Sequence, residues 1–254
     1  MKRFSPLHTG LPVAVFPYTF TGTAKRIRRA FAVFIFMGFL LACLNRAGAQ
    51  AISDSAQATY TKTITLRADK IVATLGINDA PKYENVKQIV TNQYRNLNTI
   101  YDNRDLQKKE AKAKNATNKQ ALDTALKLIE TDVTMQLDNL HAEYLSLLNS
   151  NLNAGQVDKV KDGMTYSVVN VTYKGYQDMI PTLTEPQKAQ ILAWLIEARE
   201  HAIDAESSDK KHAWFGKYKG RINNYLSAQG YDAQKERVEW EKRIKAAEAA
   251  KQKG

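Results

Sequence analysis

Thr165-Tyr-Ser-Val-Val-Asn-Val-Thr-Tyr173 is the run whose reading decides the fold class. Its β-branched and aromatic residues suit a strand, with Gly163 before it and Lys174-Gly175 after it as turn signals. Its periodicity fits nothing cleanly. Tyr166, Val169, Val171 and Tyr173 follow neither the alternation of a half-buried strand nor the three-to-four spacing of a helix. The run therefore stays open between a short extended element and a buried helical segment.

Everything around it is helical in period. Upstream, Ile64, Ala68, Ile71, Val72 and Leu75 recur at helical spacing and stop at Gly76. Asn78-Asp79-Ala80-Pro81 supplies a cap and an early proline for the next helix, whose stripe is Val86, Val90, Gln93 or Tyr94, Leu97, and Ile100 with Tyr101. A basic piece rich in Ala and Asn, Lys108 to Lys119, reads as a solvated helix end or a turn. The longest stripe follows: Leu122, Leu126, Ile129, Val133, Leu137, Leu140, Tyr144 and Leu147-Leu148. Downstream of Pro181 a helix runs from Glu185 to about Ala205, with Ile191, Leu192, Leu195, Ile196, Ala198, Ala202 and Ile203 inward. Residues 232–254 form a charged terminal helix with Val238, Trp240, Ile244 and Ala247 as its few apolar contacts. The expected fold is mainly α, a helical bundle with at most one small β element, built as a single domain over residues 50–254.

Residues 1–49 read as an export signal. They hold no Asp or Glu, a basic cluster Lys25-Arg26-Ile27-Arg28-Arg29, an apolar run from Ala30 to Leu41, and a small-residue exit Ala47-Gly48-Ala49. The apolar run falls short of the ~20 residues a membrane span needs. Leu40-Leu41-Ala42-Cys43 also has the form of a lipobox, so cleavage after Ala49 and acylation of Cys43 both stand as expectations, with a periplasmic, secreted or lipid-anchored location following from them. Cys43 is the one cysteine, which leaves the exported part without a disulfide, a thiolate metal site or a cysteine nucleophile. Seven of the 37 Lys and Arg, and none of the 26 Asp and Glu, precede Gln50, so the charge falls from +11 for the whole chain to +4 for the remainder. That excess is too small for a nucleic-acid footprint and leaves room for an anionic sugar polymer.

Chemistry-bearing residues are few. No Ser-His-Asp order, paired catalytic carboxylates or phosphate loop is specific enough to name a catalytic residue or a cofactor. Glu197, His201 and Asp204 share one helical face, where a metal would need further ligands from elsewhere; the plainer reading is a solvated face with an i,i+4 Glu–His pair. His141 reads as a helix-edge histidine. Leu183-Thr-Glu-Pro-Gln187 is a capping-box helix start, and Leu152-Asn-Ala-Gly-Gln156 has the same outline.

This pair of starts resembles the LTxxQ motif of Spy-type periplasmic chaperones, although Asn153 departs from the motif's Thr; the resemblance implies an envelope chaperone or stress protein. A wider resemblance rests on Val160-Lys-Asp-Gly-Met-Thr-Tyr166, on Leu183 to Gln187, and on Lys211-His-Ala-Trp-Phe-Gly-Lys-Tyr-Lys-Gly-Arg-Ile-Asn-Asn-Tyr-Leu226 with Gly230-Tyr231-Asp232. Over most of residues 52–235 the chain is similar to an uncharacterised family of exported, mainly helical proteins from polysaccharide-degrading bacteria. That similarity implies a helical fold and a sugar ligand, and brings no catalytic residue with it.

The stretch from His212 to Leu226 divides on a helical wheel. At about 100° per residue, Trp214, Phe215, Tyr218, Ile222, Tyr225 and Leu226 fall within an arc of about 120°, a core-facing stripe. Lys217 and Arg221 flank it beside Trp214. Gly216 and Gly220 form a bare strip behind, at a cost of ~1 kcal/mol each against Ala, which a closely packed helix or ligand would account for. His212, Trp214, Lys217, Tyr218 and Arg221 are therefore the candidate ligand residues, offering a stacking ring and cationic donors to a sugar that carries a carboxylate. The expected function is an exported, non-catalytic carbohydrate-binding or accessory protein; the alternative is the LTxxQ-type chaperone.

Overall fold

The computed structural model describes residues 56–251; the expected export signal of residues 1–49, with Cys43, and the last three residues lie outside them. From Thr59 onward the chain makes one compact unit. Helix α1 (56–72) runs into a single 3-10 turn, Ala73–Leu75, closed by Gly76 in the left-handed conformation (φ 67°). The next two helices, α2 (Ala80–Lys114) and α3 (Lys119–Asn151), form a long antiparallel hairpin. They are followed by α4 (Ala154–Met164), α5 (Val168–Met179), a second antiparallel hairpin of α6 (Glu185–Ile203) and α7 (Ser208–Ala228), and the terminal α8 (Ala233–Lys251).

The starts are set by short polar side chains. Asp79, Asn118, Asn153, Thr184 and Ser207 each accept a backbone N–H from three residues on. At Asn153 and Thr184 the box is reciprocal, with Gln156 and Gln187 accepting the cap residue's own N–H at 3.2 and 2.9 Å. The LTxxQ-like pairs are thus spent on starting helices.

Among the described residues there is no strand. The run 165–173 fits neither period because it belongs to no single element. Thr165 closes α4, Tyr166 and Ser167 form a left-handed corner (φ 59° and 54°), and the remaining residues open α5. Asp162 holds the corner: its carbonyl accepts the amides of Thr165 and Ser167 at 3.1 and 2.8 Å, while its carboxylate accepts from Asn170 Nδ2.

Two apolar cores result. One gathers α1, the first half of α2, the end of α3 and α4 around Val72, Val86, Tyr144, Leu148 and Val160. The other gathers α5, α6 and α7 around Ile191, Leu195, Phe215 and Ile222. Helix α6 belongs to both, because Ile203 in its last turn packs in the first core. The α7 stripe is as the wheel places it: Phe215, Tyr218, Ile222 and Leu226 are buried, with Trp214 and Tyr225 packed at its edge. Four apolar assignments are corrected: Ile196 and Leu147, and on α8 Val238 and Ile244, are exposed.

The packed-helix account of the glycine strip is corrected too. A Cβ at Gly216 or Gly220 would meet nothing within 4 Å, so no neighbouring helix explains them. Gly163 is the opposite case, where a Cβ would come within 2.8 Å of Ile71 Cγ1. Gly216→Ala and Gly220→Ala are each expected to raise stability by about 1 kcal/mol. Gly163→Ala should lower it by roughly 1–3 kcal/mol through overpacking. Urea denaturation of the three variants checks both signs.

Candidate functional site

Polar side chains line the seam between the two cores, and there the surface opens into a cleft of about 700 Å³. Its base is the last turn of α6 and the α6–α7 turn; α2 and α3 supply one wall and the first turns of α7 the other.

Asp204 is the hub. Its Oδ2 accepts from His141 Nδ1 at 2.6 Å, its Oδ1 accepts from Gln93 Nε2 at 3.2 Å, and its backbone carbonyl accepts from the Tyr101 hydroxyl at 2.7 Å. Gln93 is fully buried, so the carboxylate is held from behind by a group with little freedom. The other ring nitrogen of His141, Nε2, lies 3.9 Å from Glu200 Oε2, and Glu200 in turn accepts from Lys161 Nζ at 2.7 Å. His141 thus sits between two carboxylates. Its hydrogen bond to Asp204 raises its pKa above the ordinary 6.5, against the opposing effect of partial burial. On the α2 side, Arg104 binds Glu206 at 2.5 Å and lies over the Tyr101 ring at 4.8 Å. Burial pushes the Tyr101 phenol up to about 12, which keeps it a neutral donor.

The sequence candidates are dispersed. Trp214 lines the cleft, but one face of its indole stacks on His201 (4.5 Å, 17°), and Lys217 lies over the ring at 5.1 Å. Tyr218 is buried and donates to Glu197 Oε1 at 2.7 Å. Arg221 meets Glu197 Oε2 at 3.4 Å and covers the Trp194 ring at 4.6 Å, away from the cleft. His212 points elsewhere, stacked on Tyr166 (5.5 Å, 15°). Glu197, His201 and Asp204, on one helical face, serve three different partners. Among the described residues no three His, Cys, Asp or Glu side chains converge as a metal ion requires.

Sequence reasoning missed His141, Tyr101, Arg104, Glu200 and Lys161. Their one common signal is a polar residue on or beside an apolar stripe, as with His141 next to Leu137 and Leu140. What joins them is the meeting of α2, α3, α4 and α6, which no single stripe reveals.

Fold and seam together define a mainly α-helical protein with a polar, partly aromatic cleft between two cores. The chain belongs to the family described as protein of unknown function (DUF3826), whose profile matches residues 61–246. No curated protein matches the chain. No described helix is long and apolar enough to cross a membrane.

Because the folded-state pKa of His141 lies above its unfolded value, its contribution to stability is full below about pH 6.5. That contribution is lost as the pH rises through the raised folded value. Asp204→Asn removes the largest cause of the rise, so the His141 ring should titrate at lower pH and the stability slope in that window should flatten. NMR titration of the ring reads this directly; an unmoved midpoint would contradict the assignment.

Proposed function

We propose that this protein is an exported, non-catalytic carbohydrate-binding or accessory protein whose ligand lies in the cleft between α2, α3, α6 and α7. The observation that carries this reading is the cleft itself. It falls in the ~300–1,000 Å³ range of small-molecule sites, and it joins aromatic edges to many fixed planar polar groups. Tyr101 and Trp214 offer aromatic edges, their faces being covered in part by Arg104, His201 and Lys217, while His141, Glu200, Asp204 and Arg104 are held in place by partners behind them. Sugars, with apolar ring faces and rims of hydroxyls, suit such a lining. Carboxylates (Glu130, Asp138, Glu200, Asp204 and Glu206) outnumber the cations Arg104 and Lys210 along it. This favours a neutral or amino sugar in the cleft over a uronate. The sequence pattern of residues 1–49, with its open choice between cleavage after Ala49 and acylation of Cys43, supports a location at a cell surface or outside it.

The test is a glycan array on the purified protein, followed by calorimetry on the best hit. Trp214→Ala should weaken binding by roughly tenfold or more, while Arg221→Ala, outside the cleft, should leave it unchanged. Absence of binding to every neutral, amino and acidic glycan would end this reading.

A second reading, the periplasmic chaperone, has one observation in its favour: Leu106, Leu128 and Met135 are exposed along the α2–α3 hairpin. Suppression of client aggregation that falls when these three are replaced by Ser would support it.

A further inference from the structure

On the other side of the α6–α7 turn lies a second pocket, of about 320 Å³, which shares Tyr101, Ala205 and Glu206 with the cleft. Its electrostatics are reversed. Arg67 and Lys70 from α1 and Lys211 from α7 line it, and its one carboxylate, Glu206, is bound to Arg104. Arg104, Lys161 and Arg199, the cations around the neighbouring seam, all have carboxylate partners. Arg67 and Lys70 have none within ion-pair distance among the described residues. Lys211 is almost fully buried and uses two of its three donors on the carbonyls of Ala202 and Ile203, at 2.9 and 2.7 Å.

The rim carries a second, independent feature. Tyr166, half-exposed, stands at the left-handed corner between α4 and α5 and lines this pocket. A left-handed non-glycine residue costs ~1–3 kcal/mol, and two in succession persist only where the surroundings enforce them. Asp162, itself fixed by Arg199 at 2.7 Å, enforces them here. The corner sets the Tyr166 ring parallel to His212 at the mouth of a cationic pocket.

We propose that this pocket binds an oxyanion carried on a sugar, a carboxylate or a sulfate ester, so that the ligand is an acidic polysaccharide. The charged residue would lie at Arg67, Lys70 and Lys211 with its ring against Tyr166, and an uncharged neighbour would lie in the larger cleft. This rests on the carbohydrate reading and specifies its ligand class. Guanidinium and ammonium donors that no protein carboxylate occupies suit an anionic group.

The test titrates the full chain with uronate-containing, sulfated and neutral oligosaccharides, beside an Arg67→Ala/Lys70→Ala double variant. Both side chains are exposed and unpaired, so the variant should keep its melting temperature. The acidic or the sulfated ligand should bind more tightly than the neutral one and lose about tenfold or more in the variant; the neutral ligand should lose nothing. A second readout follows the His212 ring by NMR during titration with glucuronate, inorganic sulfate and glucose. A shift with either anion, absent with glucose and in the variant, supports the pocket even if no oligosaccharide occupies the cleft. Equal affinity for acidic and neutral ligands overturns the proposal and leaves the carbohydrate reading standing. An unmoved His212 ring with both anions also overturns it.

Discussion

A guanidinium only 6% exposed to solvent lies between α6 and α4. Arg199 Nη1 and Nη2 donate to Asp162 and Asp158 at 2.7 and 2.6 Å, while Nε, 3.6 Å from Glu200, makes no hydrogen bond. Burying this charge is costly, and removing its buried partner Asp162 would cost about 3–5 kcal/mol, whereas Asp158 is mostly exposed. What the pair secures is geometry. It ties the helix common to both cores to the helix that ends in the left-handed corner, through the same Asp162 whose carbonyl shapes that corner. The direction of α5, the position of Tyr166 and the packing of α6 on α4 all depend on it.

The polar seam follows from this arrangement. An apolar α6 face would merge the two cores; Arg199 and Glu200 in its second half and Asp204 just past its end keep them apart and recruit Lys161, His141, Gln93 and Tyr101 from three other helices. The two pockets lie on either side of the turn that leaves this seam, one rich in carboxylates and the other in cations.

Much of the fold was legible in the residues. The stripes from Ile64 to Leu75 and from Phe215 to Leu226, the caps at Asp79, Asn153 and Thr184, and the helix from Glu185 are all local signals. Residues 165–173 were not legible, because a corner held by a carbonyl and by Arg199, more than thirty residues away, leaves no period. The site was less legible than the fold. Proximity in sequence suggested that His212, Trp214, Lys217, Tyr218 and Arg221 act together; one helix sends them instead to Tyr166, His201, the Trp214 face, Glu197 and Trp194. His141 and Asp204 are 63 residues apart and meet through tertiary packing alone.

The α2–α3 hairpin has a further consequence for motion. No residue between Leu97 and Val133 is buried; beyond the polar ties of Tyr101 to Asp204 and Arg104 to Glu206 near its base, this distal half is held by a half-buried line of Ile100, Leu122, Leu126 and Ile129 and by the Lys108–Glu130 ion pair. Its backbone hydrogen bonds can open without disturbing either core, so its free energy of opening lies well below that of global unfolding. Tyr101, Arg104 and Glu130 stand where this loosely held segment meets the cleft. One wall of the cleft is therefore built at the base of a segment that belongs to neither core and is tied across the cleft by Tyr101 and Arg104, while the opposite wall, on α6 and α7, is anchored in the core, so the two walls differ in local stability.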